Sequence, residues 1–336
     1  MNILFKLFLV FGFAIILSAQ NDDTIYIASW NVENMFDNVD DPDKEDEEFL
    51  STGSKEWTDE RIHQKMSNLS DVINFMNEGK GPDIIGFMEV EHKYLLEKMA
   101  ITFLYNRKYM VVGFDSPDAR GIDNYLMYDS DIFDLVGYYK IPVNFFNEDY
   151  YTRDILHVSL YYNDDILDVF VNHWPSRRGG EERSQPRRVN AASTLKRYVD
   201  SLQTIRNSAN FVIVGDFNDE PNNYSIEDVL SAKKIYDTTA ALINLAWKDF
   251  DDGKGTLLYN KDFNMLDQII ISRGLLDGKG LEYLEDSFEI ISDNFFIYTN
   301  GPNVNSIIPS FHSGKYLNGY SDHLPVGAKL FTNEVK

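Results

Sequence analysis

Residues 210–219, Asn-Phe-Val-Ile-Val-Gly-Asp-Phe-Asn-Asp, lead an apolar run, Phe211–Val214, into Gly215 and then into Asp216, Phe217, Asn218 and Asp219. A β-branched and aromatic run of this length, stopped by a glycine, reads as a buried strand that presents carboxylates at its C-terminal end. The pattern recurs on both sides. Ile25–Trp30, Ile84–Met88, Tyr109–Gly113, Tyr125–Tyr128, His157–Tyr162, Leu167–Asn172, Gln268–Ser272 and Val326–Phe331 are all of strand length. Between them lie helical patterns. In 61–78, Ile62, Met66, Leu69, Ile73 and Met76 fall on one face, and in 188–205 so do Val189, Ala192, Leu195, Val199 and Leu202. Helices interleaved with many strands predict an α/β layered fold.

The 336 residues are 43% hydrophobic and 25% charged, a globular composition with material for a sizeable core. No repeat or linker divides the chain, so residues 21–336 are expected to form one domain. The acid-rich stretch Asp37–Glu48 and the Gly/Asn-rich stretch Asn300–Tyr320 read as its surface loops. Lys plus Arg number 31 and Asp plus Glu 54, a net charge of −23. A field of that sign excludes a polyanion-binding surface spread over the whole protein, but not a local, metal-assisted phosphate site. Cysteine is absent, which excludes disulfides, thiolate metal sites and a cysteine nucleophile. Residues 1–20 place Lys6 before an apolar run, Leu7–Leu17, and then Ser18 and Ala19. This is the layout of a cleaved secretory signal, and the run is shorter than the ~20 residues that a membrane span needs. A secreted or periplasmic protein is expected, monomeric and without a membrane anchor.

Six short motifs carry the chemistry: Ser29-Trp30-Asn31, Phe87-Met88-Glu89, Val171–Arg178, Val214–Asp219, Met265–Ile270 and Tyr320–Val326. Each alone has an ordinary structural explanation. A Glu at a strand end is commonly a solvated rim residue, an Asp before a strand a turn former, a lone His a hydrogen-bonded structural residue. Together, strand ends on one edge of an α/β sheet would gather two His, several carboxylates and two Asn. Oxygen ligands of this kind suit a hard divalent cation such as Mg²⁺, and a phosphoester needs an activated water and a means of stabilising oxyanion charge. Asp322-His323, with Asp267 as orienter, fits a pair that fixes an imidazole's tautomer. The residues thus point to metal-assisted phosphoester hydrolysis.

Taken in order, Ser29-Trp30-Asn31, Met88–Glu91, Asn172–Arg177, Gly215–Asn218, Leu266–Ile271 and Ser321–Val326 resemble the motifs of the endonuclease/exonuclease/phosphatase superfamily. The resemblance implies a four-layer α/β sandwich, with two mixed β-sheets packed face to face and helices on the outside. It implies Glu89 as the main metal ligand, with Asn31 beside it and Asp322 sharing the ion. Mg²⁺ is the expected cofactor, with Mn²⁺ or Ca²⁺ as substitutes or additions. Asp216 and Asn218 would position or deprotonate the attacking water and contact the phosphate. His323, oriented by Asp267, would act on the phosphate from the opposite side, and His173 would assist the leaving group. Either Asp216 or His323 could be the general base, and either one metal ion or two could be bound.

Arg177, Arg178, Arg183, Arg187 and Arg188 crowd into twelve positions of an acidic chain, directly after His173. Guanidinium groups match phosphate oxygens, so Arg177 or Arg178 is expected at the substrate, with Arg120 as a further candidate. Arg183, Arg187 and Arg188 are expected in a solvated loop leading into a helix that begins near Arg188. The acidic run Asp37–Glu48 lacks the spacing of a helix–loop–helix calcium site and reads as a solvated loop. The leading expectation is an exported nuclease acting on DNA, with RNA left open as an additional substrate, to leave 5′-phosphates. The alternative is hydrolysis of small phosphoesters or phospholipid headgroups, for which Asn294–Tyr298 would be the candidate membrane-inserting hairpin. A catalytically dead binding module is the third reading, disfavoured because each matched position holds a competent residue.

Overall fold

A computed structural model describes residues 24–145, 148–206 and 209–333; the expected signal segment, residues 1–20, lies outside them. The chain runs through β1 (Thr24–Met35), α1 (Asp59–Gly79), β2 (Ile84–Val90), α2 (Lys93–Phe103), β3 (Tyr109–Gly113) and β4 (Asp123–Asp129). It continues through β5 (Asp134–Ile141), β6 (Ile155–Tyr162), β7 (Asp165–His173), α3 (Glu181–Ile205) and β8 (Asn210–Asp216). Next come β9 (Ala232–Lys233), β10 (Leu242–Asn244), α4 (Trp247–Asp251), the hairpin β11 (Leu257–Tyr259) and β12 (Asp262–Asn264), and β13 (Asp267–Ser272). β14 (Gly280–Tyr283), β15 (Glu289–Ile290), the hairpin β16 (Phe311–His312) and β17 (Lys315–Tyr316), and β18 (Val326–Asn333) complete it.

Two seven-stranded sheets result, one ordered β14-β18-β1-β2-β4-β3 with β15 also on β18, the other β5-β6-β7-β8-β13-β10-β9. Both are mixed: β1 and β2, and β7 and β8, pair in parallel, and their other neighbours are antiparallel. Central strands are apolar on both faces because both faces are covered. On β8, Val212 and Val214 join Ile25, Ile27, Val169 and Ile269 between the sheets. Phe211 and Ile213 point the other way, to Ala192, Leu195 and Val199 of α3. On the far side, Tyr26, Ala28 and Trp30 of β1 pack under Met66, Leu69 and Ile73 of α1 and Leu96 and Met99 of α2. The order is helix, sheet, sheet, helix: the four-layer sandwich that the resemblance implied. At Gly86 the sheets approach so closely that a Cβ would lie 2.8 Å from Val214 Cγ2.

Some expectations give way. α3 begins at Glu181, so Arg183, Arg187 and Arg188 lie on a helix rather than in a loop. The acidic run is not wholly solvated. Asp37 and Asp46 are buried, and both accept main-chain N–H groups, from Val39 at 2.6 Å and Asp41 at 3.0 Å. Phe296, in the candidate membrane hairpin, is fully buried against Phe75 and Tyr320. Among the described residues, no helix is long and apolar enough to cross a membrane.

Candidate active site

Strand register delivers the chemistry to one edge. Asn31 pairs with Met88, the residue before Glu89, across the parallel β1–β2 ladder. His173 pairs with Asp216 across β7–β8, and Asp267 pairs with Asp216 across β8–β13. Gly215 permits that register, since its φ is +147° and a Cβ would sit 1.9 Å from Asn172 O. Glu33, Asn34, Glu89 and Asn218, all beside the site, have φ of +51°, +56°, +63° and +51°. Left-handed backbone at non-glycine residues costs of order 1–3 kcal/mol each and persists only where the surroundings over-determine it. Here they do: Glu33 N donates to Asn31 Oδ1 at 3.1 Å, Asn34 N to Glu89 Oε2 at 3.1 Å and Asn218 N to Asp216 Oδ1 at 2.8 Å.

Asp216, 2% exposed, is the hub. Its Oδ2 accepts from Asn31 Nδ2 at 3.1 Å and Asn218 Nδ2 at 3.3 Å. It also lies 3.5 Å from His173 Nε2 and 4.0 Å from His323 Nε2. His323 Nδ1 meets Asp267 Oδ2 at 2.7 Å, and Thr256 Oγ1 donates to the same oxygen at 2.6 Å. Trp30 Nε1 donates to the His323 carbonyl, and Ser321 Oγ bridges Asn31 O and His323 N, so β1 fixes the loop before β18.

The two histidines have opposite electrostatics. Burial holds His173 well below the usual imidazole range, and the cations Arg153 and Arg120 add to this. Burial also works against charge on His323, but Asp267, Asp216 and Asp322 outweigh it and hold His323 well above that range. The Asp216 carboxyl is pushed up to about 6, by burial first, against the opposing pull of His323. Asp322 is open to solvent at the mouth of the site. The protein atoms crowding it, and the Glu89 charge, nevertheless raise its carboxyl, against His323 and Lys65.

Asn31, Glu89 and Asp322 present one amide oxygen and two carboxylates that repel each other, an oxygen donor set that suits a hard divalent cation. Asp216, Asp267 and His323 also lie with ligand atoms within 4.8 Å of one another. In that second cluster hydrogen bonds already join Asp267, His323 and Thr256, and in the first Asn31 Oδ1 and Glu89 Oε2 each accept a main-chain N–H.

The structure thus brings together Asn31, Glu89, His173, Asp216, Asn218, Asp267, Asp322 and His323. It does not bring Arg177. That guanidinium donates to Asn218 O at 2.7 Å and Asn223 Oδ1 at 2.9 Å, and lies 3.4 Å from Glu181 and 3.6 Å from Asp219. Its contacts hold the Asp216–Asn218 turn. Arg188 is buried on Asp219 and Arg187 pairs with Glu148. Arg178 is exposed, and Arg120 stands at the rim, 3.9 Å from Glu89. Three contributors carry no sequence motif. They are Thr256, which backs Asp267; Lys65, buried on α1; and Arg153, which is 4% exposed and joins Asp118 to the Trp174 carbonyl. A buried cation in an apolar helix face, as at Lys65, is the one signal that could have found any of them.

The model of the Endonuclease/Exonuclease/phosphatase family matches residues 26–331. A search of curated protein sequences finds no match. Among solved structures, the chain is similar to the human Nocturnin catalytic domain with bound sulfate anion, with a TM-score of 0.58 and 16% identity, over 92% of this chain and 95% of that one. It is similar to D. rerio TDP2 complexed with single strand DNA product, with a TM-score of 0.56 and 13% identity, over 92% and 99%. It is also similar to a mannosyl-6-phosphatase of Bacteroides thetaiotaomicron, with a TM-score of 0.56 and 15% identity, over 91% and 99%. Likenesses at this identity are likenesses of fold.

Proposed function

The chain belongs to the endonuclease/exonuclease/phosphatase family of phosphoric ester hydrolases, and from that premise we propose that it is an exported, Mg²⁺-dependent endonuclease that cuts DNA, and RNA as a secondary substrate, to leave 5′-phosphates. The observation that carries this reading is the placement of two histidines about Asp216, with His173 Nε2 3.5 Å and His323 Nε2 4.0 Å from its Oδ2 and their imidazoles shifted in opposite directions. Hydrolysis of an ester with an unactivated alkoxide leaving group, a DNA diester among them, must protonate that alkoxide as well as deprotonate a water, and two histidines beside one carboxylate suit both transfers. Export rests on residues 1–20, and the DNA product held by one similar fold is consistent with a nucleic-acid substrate.

Asn31, Glu89 and Asp322 would hold the divalent ion, which supplies charge neutralisation at the phosphate oxygens when bound. Asp216 Oδ2, already accepting from Asn31 and Asn218, orients the attacking water. His323, with Nδ1 tied to Asp267, exchanges a proton with the reacting phosphate group through Nε2. His173, on the β7 side, can donate an Nε2–H hydrogen bond to the leaving oxygen, and the proton that the alkoxide takes up balances the one the attacking water gives up. Arg120 and Arg178 are the side chains left to meet phosphate.

A second reading, hydrolysis of a small phosphoester, is favoured by the commitment of Arg177, Arg187 and Arg188 to protein partners in a chain of net charge −23. The test is supercoiled plasmid incubated with the mature chain in Mg²⁺, in EDTA, and beside His323→Ala. Nicking that needs metal and falls by about 10²–10⁴-fold in the variant, the usual contribution of one acid–base group, supports the nuclease. Intact plasmid, single-stranded DNA and RNA, with phosphate released from sugar phosphates, would establish the second reading.

A further inference from the structure

Lys65 lies on α1 among Ile62, Met66 and Leu69, and only 2% of it is exposed. Its Nζ donates to Ser310 Oγ at 2.7 Å and to the Tyr320 carbonyl at 2.5 Å, and stands 3.9 Å from Glu33 Oε2. Glu33 in turn accepts from Ser310 N at 2.6 Å and Phe311 N at 3.3 Å. One helical turn on, Asn68 Nδ2 donates to the carbonyls of Asn318 and Gly319, at 3.0 and 2.8 Å. Residues 310–320, which lead into the Tyr320–Val326 motif, are thereby tied to the left-handed turn after Asn31 on one side and to α1 on the other. The next residues along the chain are Ser321, which bridges Asn31 and His323, and Asp322.

Stability alone does not account for a lysine here. Replacing the whole buried pair by hydrophobic side chains is often neutral or stabilising, so the pair as such is not needed for stability, whereas removing Lys65 alone leaves Glu33 without its partner, which is why melting curves accompany the test below. We propose that Lys65, with Asn68, is a positioning residue for the metal cradle, locking segment 310–320 so that Asp322 is held at a fixed distance from Asn31 and Glu89. This rests on the assignment of those three residues as the metal ligands. The two hydrogen bonds from Nζ need only N–H donors, so the clamp holds whichever of Lys65 and Glu33 carries their shared proton.

The sign of the effect separates positioning from charge. Deleting a cation near a metal site would, by Coulomb's law alone, leave Mg²⁺ binding unchanged or tighten it. Loss of positioning weakens it, by the 10–100-fold seen when outer partners of metal ligands are removed. The experiment is calorimetric titration of Mg²⁺ into the mature wild-type chain, Lys65→Met and Asn68→Ala, with melting curves on each. At least about tenfold weaker binding by folded Lys65→Met is expected, with a smaller loss in the same direction for Asn68→Ala, which leaves the ammonium in place. Unchanged or tighter binding by folded Lys65→Met overturns the proposal. If that variant does not fold, unchanged binding by Asn68→Ala overturns it equally. A wild-type chain that takes up no Mg²⁺ overturns the metal assignment itself, and this proposal with it.

Discussion

Thr256 sits in no motif, yet its hydroxyl donates to the same Asp267 oxygen that receives His323 Nδ1. A hydrogen bond to a charged group is worth about 1.5–3 kcal/mol, so Thr256→Val is expected to lower kcat about tenfold or more. Thr256 is 1% exposed, and KM should therefore hold; steady-state kinetics on any phosphoester the enzyme accepts checks the split, and a change confined to KM contradicts it. Arg177 shows how a residue's type can mislead when its partners are unseen. A guanidinium following a catalytic strand suits phosphate, but Asn218 O, Asn223 and the carboxylates of Glu181 and Asp219 surround it first. His323 and Asp267 were legible as a pair because both sit in motifs. Their 2.7 Å contact spans 56 residues of chain and exists only in the fold.

At the scale of elements, strands that were apolar on both faces were the readable ones. β3 agrees with its expected bounds, Tyr109–Gly113, and β8 extends the expected Phe211–Val214 by one residue at its start and two at its end. β5, largely exposed at the sheet edge, has no apolar run to announce it. α3 starts seven residues before the expected Arg188, with Pro186 inside it. Pro186 is the sixth residue of that helix, past the N–H groups that lack a partner at a helix start, so the Glu182 carbonyl loses its helical donor there. β4 carries a testable charge. Asp123, 2% exposed, accepts from Ser116 N at 2.7 Å, and burial pushes its carboxyl up to about 8. An unfolded aspartate titrates near pH ~3.9. The folded state therefore holds the proton more tightly, and the stability this gives is complete below about pH 4 and lost as pH rises through about 8. Asp123→Asn keeps the acceptor oxygen and removes the ionisation. Its melting temperature should match wild type in acid and exceed it increasingly towards pH 8; parallel curves across that range would refute the buried-carboxyl account.

At the scale of the molecule, a net charge of −23 surrounds a site for which, of the arginines weighed for phosphate, Arg120 at the rim, 3.9 Å from Glu89 and 3.7 Å from Asp118, and the exposed Arg178 remain. Counterion release scales at about 0.9 per neutralised phosphate, so two contacts predict a slope of about −2 for the logarithm of DNA affinity against the logarithm of salt. Filter binding across a salt series tests this, and a slope steeper than about −5 would reveal a basic surface that the structure does not show. The alternation of apolar strands with amphipathic helices determined the layered class from sequence alone. It could do so because burial on two faces and burial on one leave different periodicities along the chain. The motifs likewise marked which side chains could do chemistry, since metal ligation and proton transfer demand particular functional groups. Which of those groups meet was decided only by tertiary structure. Register across β1–β2, β7–β8 and β8–β13 sets Asn31, His173 and Asp267 around Asp216. Contacts between residues far apart in the chain leave no local period to read. The same holds for Lys65, Arg153 and Thr256, whose roles depend on partners 245, 35 and 11 residues away.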